Sequence, residues 1–570
     1  MGLALEFYVS IGQTLIVRNH MVSGLSCHGR RSMFVLLGGL CVLVAVTACG
    51  PSPSKPAASK KKAPSTTAAV TAGESVAETA TPPSAFPNSS ASPNDDLPPG
   101  GDDTAAAAVP HQPRPRRLPP GFGPAQMPTG PRTFADLIAS EQGTTESPAA
   151  VPSPFAREGH GAELLIDDTK AAVGGIRKLT GKHLALYTDV LPDRNVDDLT
   201  DAFDAAVPLW CRYFAIPVER AADWRMIGFL MQEKNRFAAA GMYPADLPPF
   251  PHGYQRGNYL WAYEQPDAYY RRHLLLHEGT HAFMEHFLGA IGPPWYAEGM
   301  AELLGTHRWQ DGQLTLAHLP QDKSETPGWG RIKIIQDEAA ANRGLMPEAI
   351  MDFGPTAHRQ VEPYGWCWGL AAFLDEHPRT QEAFRQLRGM VRNPQLTSWF
   401  QQQLQAEWPN IHEEWQLFVM NLEYGYDVGR EVVERKDARP LPPEGGTAII
   451  ASDRGWQSSG FRLEEGRKYR LEASGRYQIG QSSGIWWCEP GGITLHYHRG
   501  RPLGLLLGAV RDDSQPLAGL TPLARPTVVG VETTLSIRTP GTLYLRINES
   551  AGGLSDNAGQ IEVRITRDQS

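Results

Sequence analysis

His277-Glu278-Gly279-Thr280-His281 is the stretch of this chain whose residue types and spacing could do chemistry. Residues four apart on a helix lie on one face, so both imidazoles can reach a single metal ion. Neutral imidazole suits zinc, and a catalytic zinc takes three protein ligands and leaves a fourth position for water. Glu278 follows the first histidine by one residue, which places it to act as a base beside that open position without coordinating. The apolar run Leu274-Leu275-Leu276 before the motif and Phe283 after it put the helix half inside a core. His273, one turn earlier on the same face, and His286 and His307 beyond it read as ordinary core or surface histidines.

The elements that must position these residues can be read from periodicity. Strand patterns cover 182–188, 224–231 and 257–264, and a helical pattern covers 197–214. A helix through 269–287 carries the motif and ends at Gly289 and Gly292-Pro293-Pro294; a second helix follows over about 295–304. From 345 to about 424 the spacing is almost wholly helical. Strands first and helices afterwards predict an α+β fold.

The second helix contains Trp295-Tyr296-Ala297-Glu298-Gly299-Met300-Ala301-Glu302, and the Pro293-Pro294 turn folds it back on the first. HExxH followed by a helix bearing WxxEGxAE resembles the gluzincin zinc metallopeptidases, and residues 180–425 are most similar to their peptidase MA-like family. The resemblance implies a zincin-like domain with a helical C-terminal subdomain, Zn²⁺ as cofactor and a protein or peptide substrate. It implies Glu298 as the third zinc ligand after His277 and His281, and Glu302 as a group orienting a histidine. It gives Glu278 the general-base role. Tyr364, in Glu362-Pro363-Tyr364-Gly365-Trp366, matches the position from which relatives supply an oxyanion donor; a tyrosine packed in the core fits the same residues. The strand 257–264 resembles the edge strand that pairs with substrate backbone in this family. Gly279 departs from good helix chemistry and costs about 1 kcal/mol relative to alanine.

Upstream, Arg30-Arg31 precede an apolar run over 33–48 that ends Val46-Thr47-Ala48-Cys49. This has the layout of a secretory signal and is too short to span a bilayer comfortably. Its ending resembles a bacterial lipobox, which implies lipidation of Cys49, membrane attachment through the lipid, and export to the cell envelope. Residues 51–154, rich in Pro, Ala, Ser, Thr and Gly, cannot offset backbone entropy by burial and read as an extended tether. Net charge of −9 argues against a nucleic-acid partner. No CxxC occurs, and two of Cys211, Cys367 and Cys488 are free to pair in an exported chain.

Beyond about 426 the pattern changes to short alternating segments divided by Glu465-Gly466, Pro490-Gly491-Gly492 and Pro540-Gly541, which predict an antiparallel β-sandwich over 445–570, expected to fold alone. Trp456 with Ser459-Gly460, the run 505–510, and 543–565 with Asn548-Glu549 and Asp556-Asn557-Ala558-Gly559 resemble the galactose-binding lectin PA-IL. That resemblance implies Glu549, Asp556 and Asn557 as calcium and sugar ligands, and Ca²⁺ and envelope or extracellular glycans as partners; plain turn chemistry accounts for the same residues. The expected organisation is thus a lipoprotein signal (1–49), a tether (50–160), a zincin-like domain (161–430) and a lectin-like sandwich (445–570). The first functional expectation is a lipid-anchored zinc metallopeptidase, and the alternative is a non-catalytic adhesion or scaffold protein.

Overall fold

In the computed structural model, residues 163–570 are described except 358–359, 481–484, 516, 518 and 569–570; before them only the strand pairs Gly2–Ser10 with Thr14–Val22 and Leu36–Leu37 with Leu40–Cys41 are described. The expectations for Cys49 and for the tether fall outside the described residues. The architecture is mixed α+β. A five-stranded sheet contains β1 (Arg177–Thr180), β2 (Leu184–Thr188), β3 (Met226–Met231), β4 (Gly253–Arg256) and β5 (Tyr259–Tyr263), in the spatial order β1-β2-β3-β5-β4. The three inner strands run parallel, and β1 and β4 are antiparallel to their neighbours.

Period-2 alternation divides the sheet's side chains between two cores. Leu184, Leu186, Leu230, Leu260 and Ala262 join the helices on one face, while Tyr187, Phe229, Met231 and Trp261 form a smaller cluster on the other. The strand expected at the edge is therefore not the edge. β5 lies between β3 and β4, and the shorter β4, without a clear alternation of its own, closes the sheet.

Against the first face pack α1 (Leu199–Phe214) and α2 (Ala268–Leu288). α2 is buried from Tyr269 to Met284 except at Arg271, so its polar residues Arg272, His273, His277, Glu278 and His281 are enclosed together with its apolar ones. It stops at Gly289, whose φ of 77° is the left-handed conformation glycine adopts without penalty. Pro294 then opens α3 (Pro294–Gly305) at a position where a missing N–H costs nothing. A hairpin, β6 (His307–Gln310) with β7 (Gln313–Leu316), and the helices α4 (Arg331–Ala340), α5 (Glu362–Glu376) and α6 (Trp408–Asn421) complete this part.

Close helix packing explains the glycines. A side chain at Gly299 would meet Cys367 O at 3.1 Å, so α3 and α5 approach through it. At Gly279 a Cβ would lie 2.6 Å from Phe203 and 2.7 Å from Trp210 on α1. The propensity lost at Gly279 is the cost of letting two aromatic rings press on α2.

The C-terminal strands form two facing sheets. One has the order β8 (Arg439–Pro440), β10 (Gln457–Leu463), β15 (Gly541–Ile547), β12 (Leu506–Arg511), β13 (Thr527–Val528); the other has β9 (Gly446–Ala451), β16 (Gln560–Arg567), β11 (Lys468–Ser474), β14 (Glu532–Ser536). Their inner faces share a core of Ile450, Leu463, Leu471, Leu545, Val563 and Ile565 among others. The sandwich, which has this core of its own, also packs against the helical part. Leu505, Leu507 and Tyr544 on its outer side are buried in one cluster with Leu417 of α6 and Val433. Arg546 makes a bidentate pair with Glu431 at 2.8 and 2.9 Å, and Arg511 reaches Glu413 at 3.2 Å, all of these side chains being buried. Residues 431–433, expected at a boundary, are part of this junction. Cys211, Cys367 and Cys488 are each buried and unpaired. No helix among the described residues is long and apolar enough to cross a membrane.

Candidate metal centre

α2 and α3 bring together the residues singled out by their spacing. His277 and His281 project from α2 one turn apart, and Glu298 comes from the second turn of α3. Glu298 Oε2 lies 3.3 Å from His277 Nε2 and 3.5 Å from His281 Nε2. Bonds of 2.0–2.1 Å at tetrahedral angles put neighbouring donor atoms about 3.3 Å apart, so these separations match one zinc coordination sphere. Glu298 Oε2 is itself buried and has no hydrogen-bond partner among the described residues. An orphaned carboxylate oxygen aimed at two imidazole nitrogens is a donor set whose capacity is unspent, and the residues fit the metal.

Electrostatics favour positive charge at the same point. Burial by itself would depress the His277 imidazole, but Glu298 and Glu302 outweigh it and hold the ring well above its ordinary value. Burial would raise the Glu298 carboxyl, and His281 and His277 reverse this and hold it far below the usual range.

Glu302 sits one turn beyond Glu298, where its Oε1 is 3.4 Å from His277 Nδ1 and its Oε2 is 3.3 Å from His273 Nε2. Arg331, at the start of α4, grips both its oxygens at 2.9 and 3.0 Å. Among the described residues, two triads therefore have ligand atoms close enough for a metal: His277, His281, Glu298 and His273, His277, Glu302. Chemistry separates them. Glu302 is already neutralised by a buried guanidinium, and a dication beside that guanidinium would be repelled, whereas Glu298 has no cationic side chain of Lys or Arg on it. The second triad serves instead to fix the His277 ring. His273, read as an ordinary histidine, belongs to this network. His307 stacks on Tyr269 with ring centroids 4.6 Å apart, and burial pushes it down to about 3.

Glu278 is buried at the inner edge of the sheet, beside Gly253 of β4. Tyr364, in the first turn of α5, has its ring centroid 6.0 Å from that of His277. Burial, and then the charges of Glu298, Glu278 and Glu302, push its hydroxyl above the ordinary tyrosine value, so it stays a proton donor. Arg331 and Gly253 were not singled out in the sequence, and no local pattern marks either.

The sandwich residues are arranged differently. Glu549 is buried, its Oε1 accepts from Ser550 N at 3.1 Å, and burial, with the charge of Asp556 adding to it, pushes it up to about 7. Asp556 is half-buried in a short turn. Asn557 donates through Nδ2 to Ser452 O at 3.1 Å, while its Oδ1 is buried without a partner.

No protein-family model matches the chain, and no curated protein does. Among solved structures it is similar to one described as "EclA N-terminal domain; PllA-like lectin", at 22% identity and a TM-score of 0.16, over 21% of this chain and 95% of that one.

Proposed function

We propose that this chain is a zinc-dependent metallopeptidase whose metal is held by His277, His281 and Glu298. The observation that carries the reading is the buried, unpartnered Glu298 Oε2 set 3.3 and 3.5 Å from the two imidazole nitrogens. Zinc bound there supplies a Lewis acid and makes water acidic near neutral pH. Glu278 takes the proton from the attacking water and returns it to the leaving amine. Tyr364 donates its hydroxyl hydrogen to the oxyanion that develops on the scissile carbonyl. Glu302, held by Arg331 and 3.4 Å from His277 Nδ1, favours a proton on that nitrogen and so leaves Nε2 as the ligand atom. The free edge of β4 offers backbone groups to an extended peptide.

The anchor at Cys49 and an envelope location belong to the same proposal, as does a glycan-directed role for the sandwich. In support of the last, the charge of Asp556 bears on Glu549, and Asn557 Oδ1, next in sequence, is a buried oxygen without a partner among the described residues.

The test is digestion of a broad peptide pool by the full zinc-loaded chain and by Glu278→Gln. Removing the base while keeping its shape should slow hydrolysis by about 10²–10⁴-fold with zinc retained. Full zinc occupancy with no cleavage by the wild type would favour the non-catalytic adhesion or scaffold reading.

A further inference from the structure

Gly253 lies in β4 opposite Ala262 of β5, and its side of the strand faces α2. It does not have a positive φ, so its backbone conformation is open to any residue. Space is what demands glycine. A Cβ there would stand 2.6 Å from Glu278 Oε1, 3.1 Å from its Cγ and 3.2 Å from its Cδ, and the three nearest atoms all belong to that one side chain.

The strand itself is pinned. Two residues on, Gln255 is buried on the same face and donates to Glu285 Oε2 at 2.8 Å and to Gly257 O at 2.7 Å. On the opposite face Tyr254 stacks on Phe250 with centroids 5.7 Å apart. An added methyl would therefore displace the end of the Glu278 side chain rather than β4.

We infer that Gly253 is a positioning residue for Glu278: the missing side chain on the edge strand is the slot that holds the carboxylate against the sheet. The role of that carboxylate as a base rests on the proposed function, but the slot does not. Any residue larger than glycine at 253 leaves the fold and the metal ligands in place and moves the base.

Two readouts test this on the full chain. In zinc-loaded protein, Gly253→Ala should keep one zinc and its KM while kcat falls about 10–100-fold, and Gly253→Ala/Glu278→Gln should be no slower than Glu278→Gln alone. In chelator-treated protein, thermal unfolding reads the contact without activity: Gly253→Ala should lower Tm by about 2–4 °C, and the same change in a Glu278→Ala background, where the slot is empty, should not. An equal loss of Tm in both backgrounds, or an unchanged kcat, would overturn the inference. A wild type that hydrolyses nothing would count against the proposed function, while the thermal cycle would still decide whether Gly253 makes the slot.

Discussion

The ligand residues singled out on α2 and α3 and those singled out in the sandwich differ in how much hydrogen-bonding capacity is left over among the described residues. At the first, an unpartnered carboxylate oxygen faces two ring nitrogens, and the remaining polar group, Glu302, is fixed by a buried arginine. At the second, Glu549 spends an oxygen on Ser550 N and Asn557 spends its amide on Ser452 O, leaving Asn557 Oδ1 alone. A ligand set is poised for a cation when its donors converge and have nothing else to bind. By that measure the first cluster is the better prepared for a cation, and part of the second one's capacity is spent within the turn.

The comparison is sharpened first by measuring stability against each cation. Zinc at about 1,000 times its dissociation constant should stabilise the fold by about 4 kcal/mol, whereas calcium at a few millimolar should add about 1–2 kcal/mol at most, given the weak affinities of extracellular calcium modules. Thermal unfolding of the full chain with each ion checks this, and an equal response to both would erase the distinction. A smaller effect is expected from Glu302→Gln, which keeps the shape of the side chain but weakens its hold on His277. Zinc affinity should drop about 10–100-fold, read by competition with a chelating dye. An unchanged affinity would reduce Glu302 to a partner of Arg331 alone.

The smallest effect concerns Glu549. Its carboxyl is pushed up from 4.5 to about 7, burial being the main cause, so the folded state holds the proton more tightly than the unfolded chain. That contribution to stability is complete below about pH 4.5 and is lost as the pH rises toward 7. Glu549→Gln should therefore stabilise the protein at pH 8 relative to wild type by on the order of 1 kcal/mol, and should do nothing of the kind at pH 4. Denaturant unfolding at the two pH values is the check; a calcium-dependent reversal would show that the carboxylate is a ligand after all.

How much of this was legible follows from where the signals lie. His277, Glu278, His281, Glu298 and Glu302 fall on two helices joined by a Pro-Pro turn, so helical spacing alone places them on facing sides. The sandwich strands were legible for a similar reason: β11 alternates between exposed and buried along its whole length. β4 was not, because Gly-Tyr-Gln-Arg has no apolar alternation to report, and its place at the edge is set by pairing with β5. Arg331 and Gly253 act on Glu302 and Glu278 across 29 and 25 residues of chain, and only the packed fold makes those pairs neighbours. The junction of α6 with the sandwich was equally hidden. Leu505 and Leu507 look like any strand residues, and nothing in their spacing says that their partner is a helix ending 80 or so positions earlier. At Glu549, Asp556 and Asn557 the residue types were readable, but the direction in which each oxygen points was not.

Metal analysis of the purified full chain distinguishes the two sets of metal ligands. One zinc per chain is expected in the wild type, none in His281→Ala, and one in His273→Ala, whose imidazole lies beside Glu302 and the His277 ring but is not one of the three ligands of the Glu298 triad. Zinc that survives His281→Ala and disappears with His273→Ala would contradict it, and would move the metal to the triad of His273, His277 and Glu302.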